Sequence, residues 1–219
     1  MKKIIGFDQE FDSILNQLLD NKLSNSVLLT GNKGIGKKYF ILQIIEEYIN
    51  TKVVSSQTQH HLSLLKNNSH PNIIIVEKEI DEKTKKLKNF IVIDQIRKIN
   101  QFCSETSIIE DIPKFILIDC ADDMNINASN ALLKILEEPK LNTYFFLISH
   151  QPSSLLPTIK SRCLKINLPN HNYDNFSNII EISNNDINEE TKKFLYDITN
   201  GSPGLINEYE FDKILNIFE

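Results

Sequence analysis

Short apolar runs alternate along this chain with longer segments of helical period. SVLLT (26 to 30), NIIIV (72 to 76), KFILID (114 to 119), YFFLIS (144 to 149) and CLKINL (163 to 168) are five or six residues each and nearly unbroken in hydrophobic character. Such runs mark strands covered on both faces, as in a parallel sheet. Between them, NASNALLKILEEP places Ala128, Ala131, Leu132, Ile135 and Leu136 at i, i+3, i+4, i+7 and i+8, and Pro139 ends the run, which predicts an amphipathic helix. IDQIRKINQFC carries Ile93, Ile96, Ile99 and Cys103 on one face, and KYFILQIIEEYI follows the first strand as a further helix. Strands alternating with helices predict an α/β fold, a five-stranded parallel sheet flanked by helices.

Two stretches break the alternation. KEIDEKTKKLKN (78 to 89) is dense in mixed charge and predicts a solvated hairpin or loop. After Leu168 the chain turns rich in Asn, Asp and Ser, which sets a boundary near Pro169. The expected organisation is a sheet domain over 1–168 and a small helical region over 169–219. In that region Phe194, Leu195 and Ile198 supply an apolar face and Gly201 a stop, and NEYEFDKILNIFE again has an amphipathic helix pattern.

With 219 residues there is room for one sizeable core and a smaller appendage. A net charge of -5 argues against a protein that coats nucleic acid over its whole surface, since phosphate binding relies on clustered Lys and Arg. The lysines at 83, 85, 86 and 88 are surrounded by acidic residues and lack interleaved aromatics, which counts against a plain DNA-binding module. MKKIIGF has a charged start with no signal-length apolar run behind it, and the expectation is a cytoplasmic chain. Cys103, Cys120 and Cys163 lack CxxC spacing, so neither a disulfide framework nor a thiolate zinc site is drawn from them. His60, His61 and His70 have no acidic or thiol partner at ligand spacing, so they read as a solvated loop and no metal is expected.

The candidate chemistry begins at the end of the first strand. LLTGNKGIGKKYF places Gly31, Gly34, Gly36 and Lys37 between that strand and the next helix. This is the context of a phosphate loop, whose backbone N–H groups and helix N-terminus hold the anion while the lysine meets the outer phosphates. Lys38 stands where the motif wants a Ser or Thr, the hydroxyl that ligates magnesium. The partner strand of such a site ends in Asp119, but Cys120 follows where a carboxylate would activate water, and a thiol is a poor general base for that reaction at neutral pH. Both departures point to nucleotide binding without efficient hydrolysis. An autonomous ATPase or small P-loop kinase that tolerates Lys38 is the alternative.

VLLTGNKGIGK, IDQIRKI, FILIDCADDMNINASNALLKILEEP, FFLISHQPSSLLPTIKSRC and NGSPG, spanning residues 27 to 204, together resemble the clamp-loader branch of the AAA+ proteins, and within it the delta prime subunits of bacterial DNA polymerase III. The resemblance implies an AAA+ P-loop domain followed by a helical lid. It makes Ser161, Arg162 and Cys163 a Ser-Arg-Cys motif, with Arg162 an arginine finger acting in trans on a neighbour's ATP. It places one sensor position on Ser149 and a second, usually arginine, on Gly204. It further implies a non-hydrolysing subunit; its loop is then either a cradle that holds ATP or ADP without turnover or a vestige that holds no nucleotide. The implied partners are the gamma/tau and delta subunits and, through the assembled ring, the sliding clamp and primer-template DNA. Many delta prime subunits carry a four-cysteine zinc module between phosphate loop and second strand; residues 39 to 72 contain no Cys, so no zinc is expected. The sequence stops before the C-terminal collar domain of that family, which is expected to be absent.

Overall fold

The computed structural model describes residues 5–105, 109, 111–183 and 187–206; the helical pattern at 207–219 lies outside them. Five parallel strands, β1 (Ser26–Thr30), β2 (Ile73–Val76), β3 (Lys114–Ile118), β4 (Thr143–Ser149) and β5 (Leu164–Asn167), form one sheet in the order β2-β3-β4-β1-β5. Strand pleating divides the core in two. Val27, Leu29, Phe115, Leu117, Tyr144, Phe146 and Ile148 face one side, and Leu28, Ile116, Ile118, Phe145 and Leu147 face the other.

Helices α1 (Asp8–Leu19), α2 (Lys37–Lys52) and α3 (Ser55–Lys66) cover the first face, through Ile14, Phe40, Ile44 and Leu62. The second face takes α4 (Ile93–Ser104), α5 (Ile126–Glu137) and the short α6 (Pro157–Lys160), through Ile96, Leu132 and Ile159. Each large apolar side chain fully buried this way contributes roughly 1.5–3 kcal/mol of transfer free energy. The helix over 126–137 begins where Asn125 caps it, the side-chain oxygen accepting from the Ala128 N–H at 2.9 Å.

Two expectations change. CLKINL forms an edge strand rather than one buried on both faces, leaving Leu164, Lys165 and Asn167 exposed, because only β1 pairs with it. The solvated loop expected around the histidines is helical at His60 and His61, His70 follows the helix, and His61 and His70 are buried. They lie 3.2 Å apart, Nδ1 to Nε2, and the Asn72 N–H donates to His70 Nδ1 at 3.2 Å. One shared proton satisfies both rings in the neutral form, which is what makes their burial tolerable. The charged stretch 78–89 does fold as a hairpin, with Ile80 bridged antiparallel to Leu87.

Beyond β5, α7 (Tyr173–Ser183), α8 (Glu189–Thr199) and a 3₁₀ turn (Pro203–Leu205) pack around Phe176, Ile180 and Leu195. The buried face of α8 is Lys192, Leu195 and Thr199, with Ile198 exposed. Lys192 takes an inward position because its ammonium pairs with Glu181 at 2.6 Å and Glu189 at 2.7 Å while its stem packs. Among the described residues no helix is long and apolar enough to cross a membrane.

Candidate functional site

The phosphate loop follows β1 at the C-terminal edge of the sheet, where β1 lies between β4 and β5. Gly31, Gly34 and Gly36 all have positive φ, of 144°, 84° and 95°, a backbone path that side-chain-bearing residues seldom follow. Gly36 caps α2, so Lys37 is its first helical residue. Lys37 is 3% exposed and turns back over the loop, its Nζ donating to the carbonyls of Gly31 at 2.8 Å and Asn32 at 2.7 Å. Burial lowers its pKa to about 8, against the opposing pull of Asp122 and Asp119.

Lys38 reaches across to the ends of the neighbouring strands. Its ammonium is 2.5 Å from Glu77 Oε2 and 3.1 Å from Asp119 Oδ2. Burial works against its charge, but the two carboxylates outweigh it and raise its pKa. The place of the magnesium-ligating hydroxyl is therefore held by a cation already joined to the aspartate of the next motif. These residues do not fit a divalent metal.

Cys120 adopts a left-handed conformation at φ 64°. Burial, with the carboxylates of Asp123, Asp122 and Asp119, pushes its thiol up to about 12, so it is protonated and takes no proton from water at neutral pH. Ser149 is fully buried and its hydroxyl donates to Asp122 Oδ1 at 2.6 Å. Asp122 also accepts from the His150 N–H at 2.5 Å, the Gln151 N–H at 3.1 Å and the Ser154 hydroxyl at 3.3 Å. This carboxylate fastens the segment after β4 beside the loop, a role that sequence reasoning did not give it. Its only sequence signal is a second acidic residue in the turn after β3. His150 was missed likewise; its pKa is lowered by burial and then by Lys37, and its Nδ1 is buried without a partner.

The helical segment closes over the loop. The Gly204 N–H donates to the Gly34 carbonyl at 2.8 Å, and His171 Nε2 is 3.0 Å from the Ile35 carbonyl. Gly31, Gly34, Gly36, Lys37, Lys38 and Asp119 are thus brought together, with Ser149 behind Asp122.

Arg162 is elsewhere. Leu164 pairs with Val27, and Thr30 with Asn167, so Arg162 lies before the start of β5, at the opposite edge of the sheet from Gly31. At ~3.3 Å per strand residue the offset is roughly 20 Å. Its guanidinium donates to Glu137 Oε1 at 2.6 Å and to the Thr158 carbonyl at 2.9 Å, one-third exposed. Ser161 is exposed and donates to the Thr158 carbonyl at 3.0 Å; Cys163 packs against the second core, where burial pushes its thiol to about 11. Among the described residues no group of three or more His, Cys, Asp or Glu is placed to hold a metal ion.

A family model described as DNA polymerase III, delta subunit matches residues 8–172. The delta prime subunit of DNA polymerase III from Pseudomonas aeruginosa is 37% identical over 145 residues, covering 65% of this chain and 42% of the relative. That of Bacillus subtilis is 31% identical over 152 residues, 68% of this chain and 44% of the relative. The chain therefore spans under half the length of these relatives. Among solved structures, a DNA polymerase III gamma subunit-related protein from Thermotoga maritima superposes with a TM-score of 0.55 at 22% identity, covering 77% of this chain and 49% of the other; this likeness concerns the fold, that of an AAA+ P-loop domain. With the model matched across most of its length, the chain belongs to the DNA polymerase III delta family, and its relatives there are delta prime subunits.

Proposed function

We propose that this chain is a non-hydrolysing subunit of the bacterial DNA polymerase III clamp loader, helping to load the sliding clamp onto primed DNA, and that Arg162 is delivered into the ATP site of a neighbouring subunit. Residues 1–168 act as the AAA+ core and the helices beyond Pro169 as its lid. The observation that carries the reading is the separation of the two chemistries. Arg162 lies at the sheet edge away from its own phosphate loop, while at that loop Lys38 takes the magnesium place and Cys120 holds its proton.

A guanidinium spreads its donors over the oxygens of a transferring phosphoryl group, which stabilises the charge developing there. Glu137 keeps the side chain oriented until a neighbour arrives. The phosphate loop holds ATP or ADP without turning it over. The partners are the gamma/tau and delta subunits, with clamp and primer-template DNA met through the assembled ring.

The test is reconstitution with those subunits. Arg162→Ala is expected to lower clamp- and DNA-stimulated ATP hydrolysis, with a loss on the order of 10³ at the one site the arginine serves. Unchanged hydrolysis and clamp loading would remove the finger assignment. The chain alone is expected to show no magnesium-dependent ATP turnover; a robust rate abolished by Lys37→Ala would favour the autonomous ATPase instead.

A further inference from the structure

A phosphate loop ordinarily follows its lysine with a hydroxyl, which joins the aspartate of the partner strand in holding magnesium. Here β2 and β3 run side by side with Val76 opposite Ile118, so the residues after each strand, Glu77 and Asp119, present two carboxylates next to one another. Lys38 leaves the first turn of α2 and places its ammonium against both, at 2.5 and 3.1 Å. Magnesium requires near-octahedral oxygen ligation at 2.0–2.1 Å, and a fixed positive charge in that position opposes it.

We propose that the Lys38 ammonium is a tethered substitute for the metal, so that the loop takes a nucleoside di- or triphosphate in metal-free form. This rests on reading Gly31–Lys37 as a phosphate loop and is independent of what Arg162 does. The charge arrangement suits the task. Lys37 and Lys38 offset Glu77 and Asp119, and the third nearby carboxylate, Asp122, is met by four hydrogen-bond donors, whereas without Lys38 an incoming polyphosphate would face these carboxylates with one lysine. An ammonium has three N–H donors. Glu77 and Asp119 take two, and the third is left for a phosphate oxygen. The buried, unpartnered Nδ1 of His150, close enough to Lys37 for that lysine to depress its pKa, adds a second polar atom beside the loop that a phosphate would satisfy. Because the substitute cation is covalently held, nucleotide retention does not follow the free magnesium concentration.

The experiment titrates ADP into the chain by calorimetry, in magnesium and in EDTA, and repeats this with Lys38→Thr and Lys38→Ser after a thermal melt has verified their folding. Wild type is expected to bind with dissociation constants within about twofold of each other in the two buffers, and the variants at least about tenfold more tightly with magnesium. Manganese substituted for magnesium and followed by paramagnetic resonance should appear bound in the variant–ADP complexes and not in the wild-type complex. Tenfold tightening of the wild type by magnesium overturns the substitution while leaving the loop a nucleotide site. Binding by the variants alone also overturns it, since Lys38 would then exclude nucleotide rather than assist it. Absence of ADP binding by all three proteins in both buffers refutes the phosphate-loop reading itself. The wild-type comparison needs no variant to fold.

Discussion

Gly204 occupies the position where the clamp-loader resemblance calls for a sensor arginine, and its neighbours explain what a side chain would do there. A Cβ built on Gly204 would lie 2.8 Å from the Gly34 carbonyl oxygen and 3.0 Å from its Cα, while ordinary contact begins near 3.4 Å. The obstacle is backbone on both sides, so some 0.6 Å of relief has to come from moving the phosphate loop or the 3₁₀ turn. Overpacking of this kind costs about 1–3 kcal/mol, and parting the turn from the loop also sacrifices the 2.8 Å Gly204 N–H to Gly34 bond, worth about 1 kcal/mol net. The gain from restricting the unfolded chain, about 0.4–1 kcal/mol for Gly→Ala, offsets part of this. Gly204→Ala should therefore destabilise by about 1–3 kcal/mol, which at roughly 2–4 °C per kcal/mol for a chain of this size is a fall in Tm of roughly 2–12 °C. Calorimetry measures that fall, and hydrogen exchange at 202–206 shows whether the turn has undocked. A Tm within about 1 °C of wild type, with unchanged protection at 202–206, would refute the backbone-contact argument. By the same steric reasoning Gly204→Arg should lose at least as much stability and gain no ATP turnover.

Two further outcomes follow from individual side chains. Glu137→Gln removes the charge that holds Arg162; because both side chains are one-third to one-half exposed, stability should change by less than about 1 kcal/mol, while ATP hydrolysis by the reconstituted clamp loader should fall, and equal rates would show that Glu137 does not position the arginine. His70 has its pKa lowered to about 4, by burial and then by His61 and His60, below the ~6.5 of an unfolded chain. The unfolded state thus binds the proton first, and the stability is complete above about pH 6.5 and lost as pH falls towards 4, by at most about 3 kcal/mol. Urea midpoints at about pH 7 and pH 5 should show that loss in wild type and a flatter response in His70→Gln; identical slopes would contradict it.

The sheet was legible because its inner strands, covered on both faces, advertise themselves as apolar runs, and the edge strands kept enough of that character for all five to emerge within a residue or two of their expected bounds. Helices α4 and α5 followed from a clean 3.6-residue period. The helix over 55–66 escaped because two of its buried positions are Thr58 and His61: a polar side chain that finds a partner inside the fold looks, in a sequence, like one facing water. Lys192 misled in the same manner on α8, where its ion pairs let it displace Ile198 from the buried face.

The site divides along similar lines. Glycines, Lys37 and Lys38 are contiguous, so their proximity needed no fold to be inferred. Glu77 gave no signal, since it follows an ordinary apolar run and stands 42 positions from Asp119. Only the pairing of β2 with β3 sets the two carboxylates side by side and gives Lys38 two partners instead of one. That second partner changes what the substitution means. A lysine beside Asp119 alone would be a lost metal ligand; a lysine held between two carboxylates is a fixed cation already in place, which an incoming polyphosphate meets without having to bring its own. Asp122 shows the reverse effect of topology. In the sequence it is only a spare carboxylate three positions after Asp119, yet β4 lies next to β3 and the chain from Ser149 onward feeds it two backbone N–H groups and two hydroxyls. Four donors occupy its lone pairs, so this carboxylate is committed to holding the segment after β4 and is not free to orient a water.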